Sequence, residues 1–192
     1  MAETVRTFIA LDLSDDAREF LAARQDRLRR AGGDVRWVRP DRVHLTLVFL
    51  GEVAVDRLGN LESAVRGAAA QAGPMTLRAG GAGQFPPRGR PRVIWTALDE
   101  PTGALLALQK ALAEATAPFA EEVEDRPYVP HVTLGRVRGG EVGRLGEAVA
   151  TMAAETGPAF EVRQVVLYRS RLSPEGPTYT ALARAPLEKK GA

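Results

Sequence analysis

Both histidines of the chain fall in one repeated pattern, His44-Leu45-Thr46-Leu47 and His131-Val132-Thr133-Leu134, 87 positions apart in 192 residues. Polar and apolar residues alternate in each copy, which marks a strand: residues i and i+2 share a face roughly 6.5–7 Å apart. His44 and Thr46 therefore point one way, and Leu45 and Leu47 point into an apolar layer behind. His131 and Thr133 repeat the arrangement. This weak internal repeat, in which only the motif is clearly shared, suggests a two-lobed α+β fold with approximate twofold symmetry. If the strands lie side by side across a cleft, two imidazoles and two hydroxyls converge on one small volume.

The segments around the repeat supply strands and helices in alternation. Residues 4–13 (TVRTFIALDL) read as a strand, and Ser14-Asp15-Asp16 offers a cap for a helix from Ala17 to about Arg30, stopped by Gly32-Gly33. Val35–Val38 is short and extended, residues 42–50 (RVHLTLVFL) form a strand closed by Gly51, and Asp56 to about Ala70 is helical. Met75–Leu77 is extended, and Gly80–Arg92 reads as a Gly/Pro/Arg loop. Residues 92–98 form a strand, Pro101 to Ala117 a helix with Pro near its first turn, and 121–130 an irregular stretch. His131–Val137 is a strand, Glu141–Ala154 a helix, and Phe160–Tyr168 and Thr178–Ala183 are closing strands. The order is strand, helix, strand, helix, strand, twice over. No stretch rich in Ser, Gly or charge divides the chain, so residues 1–192 are read as a single bilobal domain.

Composition removes several classes of function. There is no Cys, so disulfides and thiolate metal sites are excluded, and the absence fits the cytoplasm. No apolar run approaches a membrane span, and the first six residues lack the basic and apolar regions of a signal peptide. The net charge of +2 implies no nucleic-acid partner by itself, but 23 of the 26 basic residues are Arg. A GC-rich genome explains that bias, and so does phosphate recognition through the planar guanidinium fork.

The repeated pair suits metal-free cleavage of a phosphodiester. Histidine titrates near neutrality, so one imidazole can be neutral while the other is protonated. The neutral one takes a proton from water and the charged one gives a proton to a departing alkoxide. Threonine hydroxyls donate to non-bridging phosphate oxygens without adding charge. A single His-x-Thr in a strand is structural more often than catalytic; two copies that use every His make a different case. A metal is the competing use of paired His. The chain has no HExxH and no carboxylate within two residues of either His, with Asp41 and Asp125 the nearest acids, so no metal is expected. Arg136, three positions after Thr133, falls on the opposite face of an ideal strand, and a bulge at Gly135 would turn it towards the phosphate. Both orientations remain open. Arg88, Arg90 and Arg92 beside Phe85 form a basic loop able to touch RNA, or a plain solvated connection. Trp37 and Trp95 sit in apolar strands and are read as core.

Residues 35–51 (VRWVRPDRVHLTLVFLG) resemble the first signature of the 2H phosphoesterases, most closely their bacterial and archaeal RNA 2′,3′-cyclic phosphodiesterase branch, also called 2′-5′ RNA ligases. FIALDL (8–13) resembles that branch's opening strand, RPYVPHVTLGR (126–136) its second signature and LYRS (167–170) its late strand. The resemblance implies antiparallel sheets lining the cleft, helices outside, and both His-x-Thr motifs facing inward. It implies hydrolysis of RNA 2′,3′-cyclic phosphate ends, tRNA fragments among them, to 2′-phosphates by a cytoplasmic monomer without metal or cofactor. The same chemistry with an alcohol in place of water gives 2′-5′ ligation. His131 is then the proton acceptor and His44 the proton donor, with Thr46, Thr133, Arg136 and Tyr128 binding substrate. Tyr128 departs from a family pattern that often has Phe there, and a Tyr ring stacks on a base equally well. A non-catalytic binder of RNA ends, a phosphodiesterase for another cyclic phosphate such as ADP-ribose 1″,2″-cyclic phosphate, and a plain interaction protein are the alternatives. Fold-level analogy alone does not separate them.

Overall fold

The computed structural model describes residues 3–188 except 123, 125 and 175; Asp125, weighed above as a nearby acid, lies outside the described residues. The elements in chain order are β1 (Thr4–Asp12), α1 (Asp15–Arg29), β2 (Asp34–Trp37), β3 (His44–Ala54), α2 (Leu58–Ala69), β4 (Met75–Phe85), β5 (Val93–Asp99), α3 (Ala104–Thr116), β6 (His131–Gly139), α4 (Leu145–Thr151), β7 (Ala159–Val162), β8 (Gln164–Arg171) and β9 (Thr178–Pro186). They form two sheets, β3-β1-β8-β9 and β2-β6-β5-β4-β7. Every pairing is antiparallel. The expected α+β architecture of two lobes is observed.

Each sheet has one apolar face, and the helices cover it. Sheet one is backed by α2 and α3, which contact β8, β9 and β3. Sheet two is backed by α1 and α4. The helix α1 starts where the sequence predicts: the Ser14 hydroxyl accepts from the Ala17 amide, Asp15 and Asp16 lie in the first turn, and Arg27 and Arg29 in the last. Its buried stripe is Ala17, Leu21, Arg24, Gln25 and Leu28, at helical spacing. Although α1 follows a strand of sheet one, its two polar core residues bond to sheet two. Arg24 donates to Gly80 O (2.7 Å) and Thr96 Oγ1 (2.8 Å), and its guanidinium lies 3.4 Å from Glu155. Gln25 Nε2 donates to Val38 O and Leu134 O, both at 2.8 Å. The chain passes between the sheets after β1, β2, β3 and β7, so neither lobe is a continuous stretch.

Several boundaries differ from expectation, each for a local reason. β3 runs through Gly51 to Ala54, because Gly51 takes φ +73° and opens a bulge in which Leu50 is left unpaired between Phe8↔Phe49 and Thr7↔Gly51. β4 extends from Met75 to Phe85, so half of the expected Gly80–Arg92 loop is strand. Its glycines serve close packing instead of freedom: a Cβ on Gly81 would meet Ala153 O, and one on Gly83 would meet the Trp95 indole at 2.3 Å. The stretch 160–168 is two strands in different sheets, divided at Arg163, whose carbonyl accepts from Leu187. The fourth helix begins at Leu145 instead of Glu141, because the Glu141 carbonyl accepts from Asp34 at the start of β2. The third begins at Ala104, after Gly103 at φ +82°, so Pro101 precedes it in a turn.

Candidate active site

His44 opens β3 and His131 opens β6, and these two strands touch across the lobes. Behind them Leu45, Leu47, Val132 and Leu134 are buried in one apolar cluster, while His44, Thr46, His131 and Thr133 face the cleft, half-buried. The strand alternation thus sorts the two motifs as the sequence predicts. Neither threonine hydroxyl bonds another group of the described residues. Among the described residues no group of three or more His, Asp or Glu could hold a metal ion.

The two imidazoles are held in the same way. His44 Nδ1 lies 2.8 Å from the carbonyl of Arg42, and His131 Nδ1 lies 2.7 Å from the carbonyl of Val129, each two residues earlier. A carbonyl only accepts, so both Nδ1 atoms carry the hydrogen. In the neutral ring this leaves Nε2 with a lone pair at the far edge.

The rings' surroundings differ. His44 stacks on Phe8 (centroids 4.9 Å apart), meets Tyr179 edge-on at 5.1 Å and has Tyr168 at 6.5 Å. His131 meets Phe85 edge-on at 5.1 Å and has Trp95 at 6.1 Å. Burial pushes both imidazoles below their ordinary value. For His44 the Arg42 carbonyl and Asp12 oppose this and Arg18 adds to it; for His131 the Val129 carbonyl opposes it and Arg136 adds to it.

Arg136 lies on the cleft face. Trp95 pairs with Thr133 and Ile94 with Gly135, so Leu134 is an extra residue in β6 and the alternation flips after it. A Cβ on Gly135 would meet Val35 and Trp37, and Arg136, paired with Val93 as Thr133 is with Trp95, is exposed on the side of Thr133. The bulge is pinned at Leu134 O, which accepts from Val38 N (2.9 Å) and from Gln25. Arg136 acts electrostatically on His131 and on Tyr179, whose ring meets that of His44 edge-on.

Tyr128 lies against the Thr46 strand. Its half-buried ring sits before β6, and its hydroxyl donates to Thr46 O at 2.8 Å, tying the second motif's approach to the first motif's strand. Trp95 is a correction. It is not simply core: it lies on the cleft face opposite Thr133, against Phe85 and near His131. Trp37 packs against the apolar cluster as expected.

Sequence reasoning overlooked Phe49, Asp12, Phe8 and Tyr179. By the same parity change as in β6, the bulge at Leu47 in β3 turns Phe49 to the cleft face opposite Phe8, and the ring is 65% exposed. Phe49 follows His44 by five residues as Arg136 follows His131, so the pseudo-symmetric positions carry an apolar ring and a cation. Asp12 pairs with His44 in register and accepts from Tyr168 Oη (2.6 Å) and Arg184 Nη1 (3.3 Å). The alternation Phe8, Ala10, Asp12 along β1 was the available signal.

Comparison with known proteins gives a consistent answer. The model of the 2′-5′ RNA ligase superfamily matches residues 9–173. The chain is 34% identical over 177 residues to the RNA 2′,3′-cyclic phosphodiesterase of Methanothermobacter thermautotrophicus, covering 92% of this chain and 95% of that protein. It is 32% identical over 185 residues to the Escherichia coli protein of the same name, covering 96% and 97%. The crystal structure of a Thermus thermophilus protein superposes with a TM-score of 0.81 at 29% identity, covering 97% of this chain and 100% of that one. That of E. coli LigT complexed with 3′-AMP gives 0.77 at 27% identity, covering 97% and 100%.

Proposed function

The chain belongs to the 2′-5′ RNA ligase superfamily, and from that membership we propose that it hydrolyses the 2′,3′-cyclic phosphate at RNA ends to a 2′-phosphate. The observation that carries the mechanism is the matched pair of imidazoles, each with Nδ1–H fixed on a backbone carbonyl. In each, the second nitrogen is left to move a proton.

Water attacks phosphorus in line with the P–O3′ bond. His131 Nε2 accepts the water proton as the new P–O bond forms, and His44 Nε2–H gives its proton to O3′ as the old bond breaks. The cycle ends with the protons exchanged, and solvent resets them. The charges support this division of labour. Asp12 favours the protonated form of His44 against burial and Arg18, and Arg136 adds to burial in favouring the neutral form of His131. The hydroxyls of Thr46 and Thr133 hold the non-bridging oxygens, and Arg136 offsets the charge that grows on them in the transition state. Tyr128 keeps the Thr46 strand at its distance from the second motif. Phe49 offers an exposed aromatic face to the terminal base. An alcohol that replaces water gives 2′-5′ joining at the same atoms.

Among the described residues no helix is long and apolar enough to cross a membrane. We place the protein in the cytoplasm, acting as a monomer without metal, with tRNA fragments among its RNA substrates. The test is a short RNA ending in a 2′,3′-cyclic phosphate, incubated in EDTA, with 2′- and 3′-phosphate products separated by chromatography. Wild type yields the 2′-phosphate, and His131→Ala loses at least the roughly 10²–10⁴-fold that general acid–base catalysis supplies. Full activity in His131→Ala, or a 3′-phosphate product, overturns the mechanism. Turnover of small cyclic phosphates but not RNA replaces the substrate.

A further inference from the structure

Arg92, Arg136 and Arg138, on β6 and just before β5, are among the arginines that the fold leaves without a carboxylate or carbonyl partner among the described residues; Arg6, Arg30, Arg42, Arg88, Arg169 and Arg171 are others. Arg24, Arg27, Arg29, Arg39, Arg144, Arg163 and Arg184 each lie within salt-bridge distance of an acid. Arg36 and Arg136 are directly opposed in the β2–β6 register, a like-charge pair that destabilises a sheet.

Beyond Arg136 the same strand leads into a groove of about 380 Å³, lined by Arg90, Arg92 and Arg138 with Pro91, Val137 and Gly139. It contains three guanidinium groups and no carboxylate. Its floor is stitched by the main chain: Arg92 N donates to Phe85 O at 2.7 Å, and Val137 N to Arg92 O at 2.9 Å. The Arg90 guanidinium donates to Gly140 O, which holds it across the groove. Arg138 follows Arg136 by two positions and is the extra residue at a register shift between Val137 and Gly139, where it lines the groove. At about 3.3 Å per residue, Arg138 stands on the order of 20 Å along the strand from His131. A mononucleotide bound at the imidazoles does not reach it. A longer polyanion does.

We propose that this groove binds the internal phosphates of an RNA strand whose terminal phosphate lies between His44 and His131, and so makes the protein prefer oligonucleotides to cyclic mononucleotides. The proposal rests on the reading of the cleft given above. RNA is the polyanion named because the groove continues the strand that holds the reacting phosphate. The facing lobe has a second basic groove of about 260 Å³ with Arg6, Arg169 and Arg171, but Glu52 lies among them and weakens its field.

The test uses the double variant Arg90→Gln/Arg138→Gln, neither residue being part of the catalytic set. Substrates are adenosine 2′,3′-cyclic phosphate and an RNA of several nucleotides ending in the same group. Wild type is expected to show the higher kcat/KM on the longer RNA. The double variant loses at least about tenfold on that RNA and stays within about twofold of wild type on the mononucleotide. Its dependence of log kcat/KM on log salt flattens by about 1.4, at about 0.7 for each single-strand phosphate that is no longer neutralised. Equal losses on both substrates, no loss on either, or the same selective loss from Arg169→Gln/Arg171→Gln instead overturns the groove assignment. A separate calorimetric titration with RNA ending in a 2′-phosphate reads the groove without turnover. Weaker binding by the double variant supports the groove even if no cyclic phosphate is hydrolysed, in which case the catalytic reading fails alone. Unchanged binding overturns the groove whatever the catalysis.

Discussion

The two imidazoles share a hydrogen-bonding scheme and differ in the charges beside them, which makes their protonation separable by mutation. Both sit below the ordinary imidazole value through burial, so the active pH window, bounded by two values that belong to the pair, lies low. Asp12→Asn keeps an acceptor for Tyr168 but removes the charge that holds the His44 proton. The acid form is then lost at lower pH, and the alkaline limb of the kcat/KM profile moves down. Arg136→Gln removes the charge that opposes protonation of His131. The base is then silenced at higher pH, and the acidic limb moves up while the maximum falls. A profile in which neither limb moves contradicts the assignment of acid and base. The motif residues were legible because a period of two needs only the sequence. The face of Arg136 was not, because it depends on one extra residue in β6, and a bulge is set by what the partner strands and α1 offer. Phe49 was missed for the same reason in β3.

That bulge belongs to the element scale, where a residue of a helix decides the geometry of a strand. Gln25 is wholly buried, and its amide nitrogen holds Val38 O and Leu134 O together. Gln25→Met keeps the volume and removes both bonds; Leu134 O retains its bond from Val38 N, and Val38 O loses its Gln25 donor. The expected loss is about 1–3 kcal/mol in urea unfolding, with KM for RNA raised as Arg136 loses its fixed position. A variant as stable as wild type, with unchanged KM, shows that the bulge holds itself. Elements with strong periodicity, α1 and the two motif strands, were placed from sequence to within a few residues. The Gly-rich end of β4 was not, since glycine reads as a loop until Ala153 and Trp95 are seen to occupy the space where side chains would be. Nor was the division of residues 160–168, because a strand that changes sheets at Arg163 keeps the same local composition on both sides.

At the scale of the molecule, the chain weaves between lobes, and α1 clamps one lobe with residues that follow a strand of the other. Arg24 is 1% exposed and bonds Gly80 O, Thr96 and Glu155, so its loss strips donors from a buried site, while Glu155 keeps Arg27 at 2.6 Å. Arg24→Ala is expected to cost about 3 kcal/mol, the lower end of the range for breaking a buried pair, because the acid is not left alone. The weaving predicts that both lobes lose structure together. Far- and near-ultraviolet circular dichroism should report one coincident thermal transition in wild type and in Arg24→Ala, at a lower temperature in the latter. Two separated transitions refute the interdependence of the lobes.

The contact between Trp95 and His131, with ring centroids 6.1 Å apart, gives the molecule a light-emitting reporter of its own chemistry. An imidazolium takes an electron from excited indole far better than a neutral imidazole does, so protonation of His131 dims Trp95. The other tryptophan, Trp37, lies by the guanidinium of Arg29 at 5.4 Å and makes no ring contact with either imidazole among the described residues. Emission should therefore fall as the pH is lowered through the titration of His131, which lies below the ordinary imidazole range, and the fall should vanish in His131→Gln while persisting in His44→Gln. The microscopic state of one member of the pair then becomes visible without substrate.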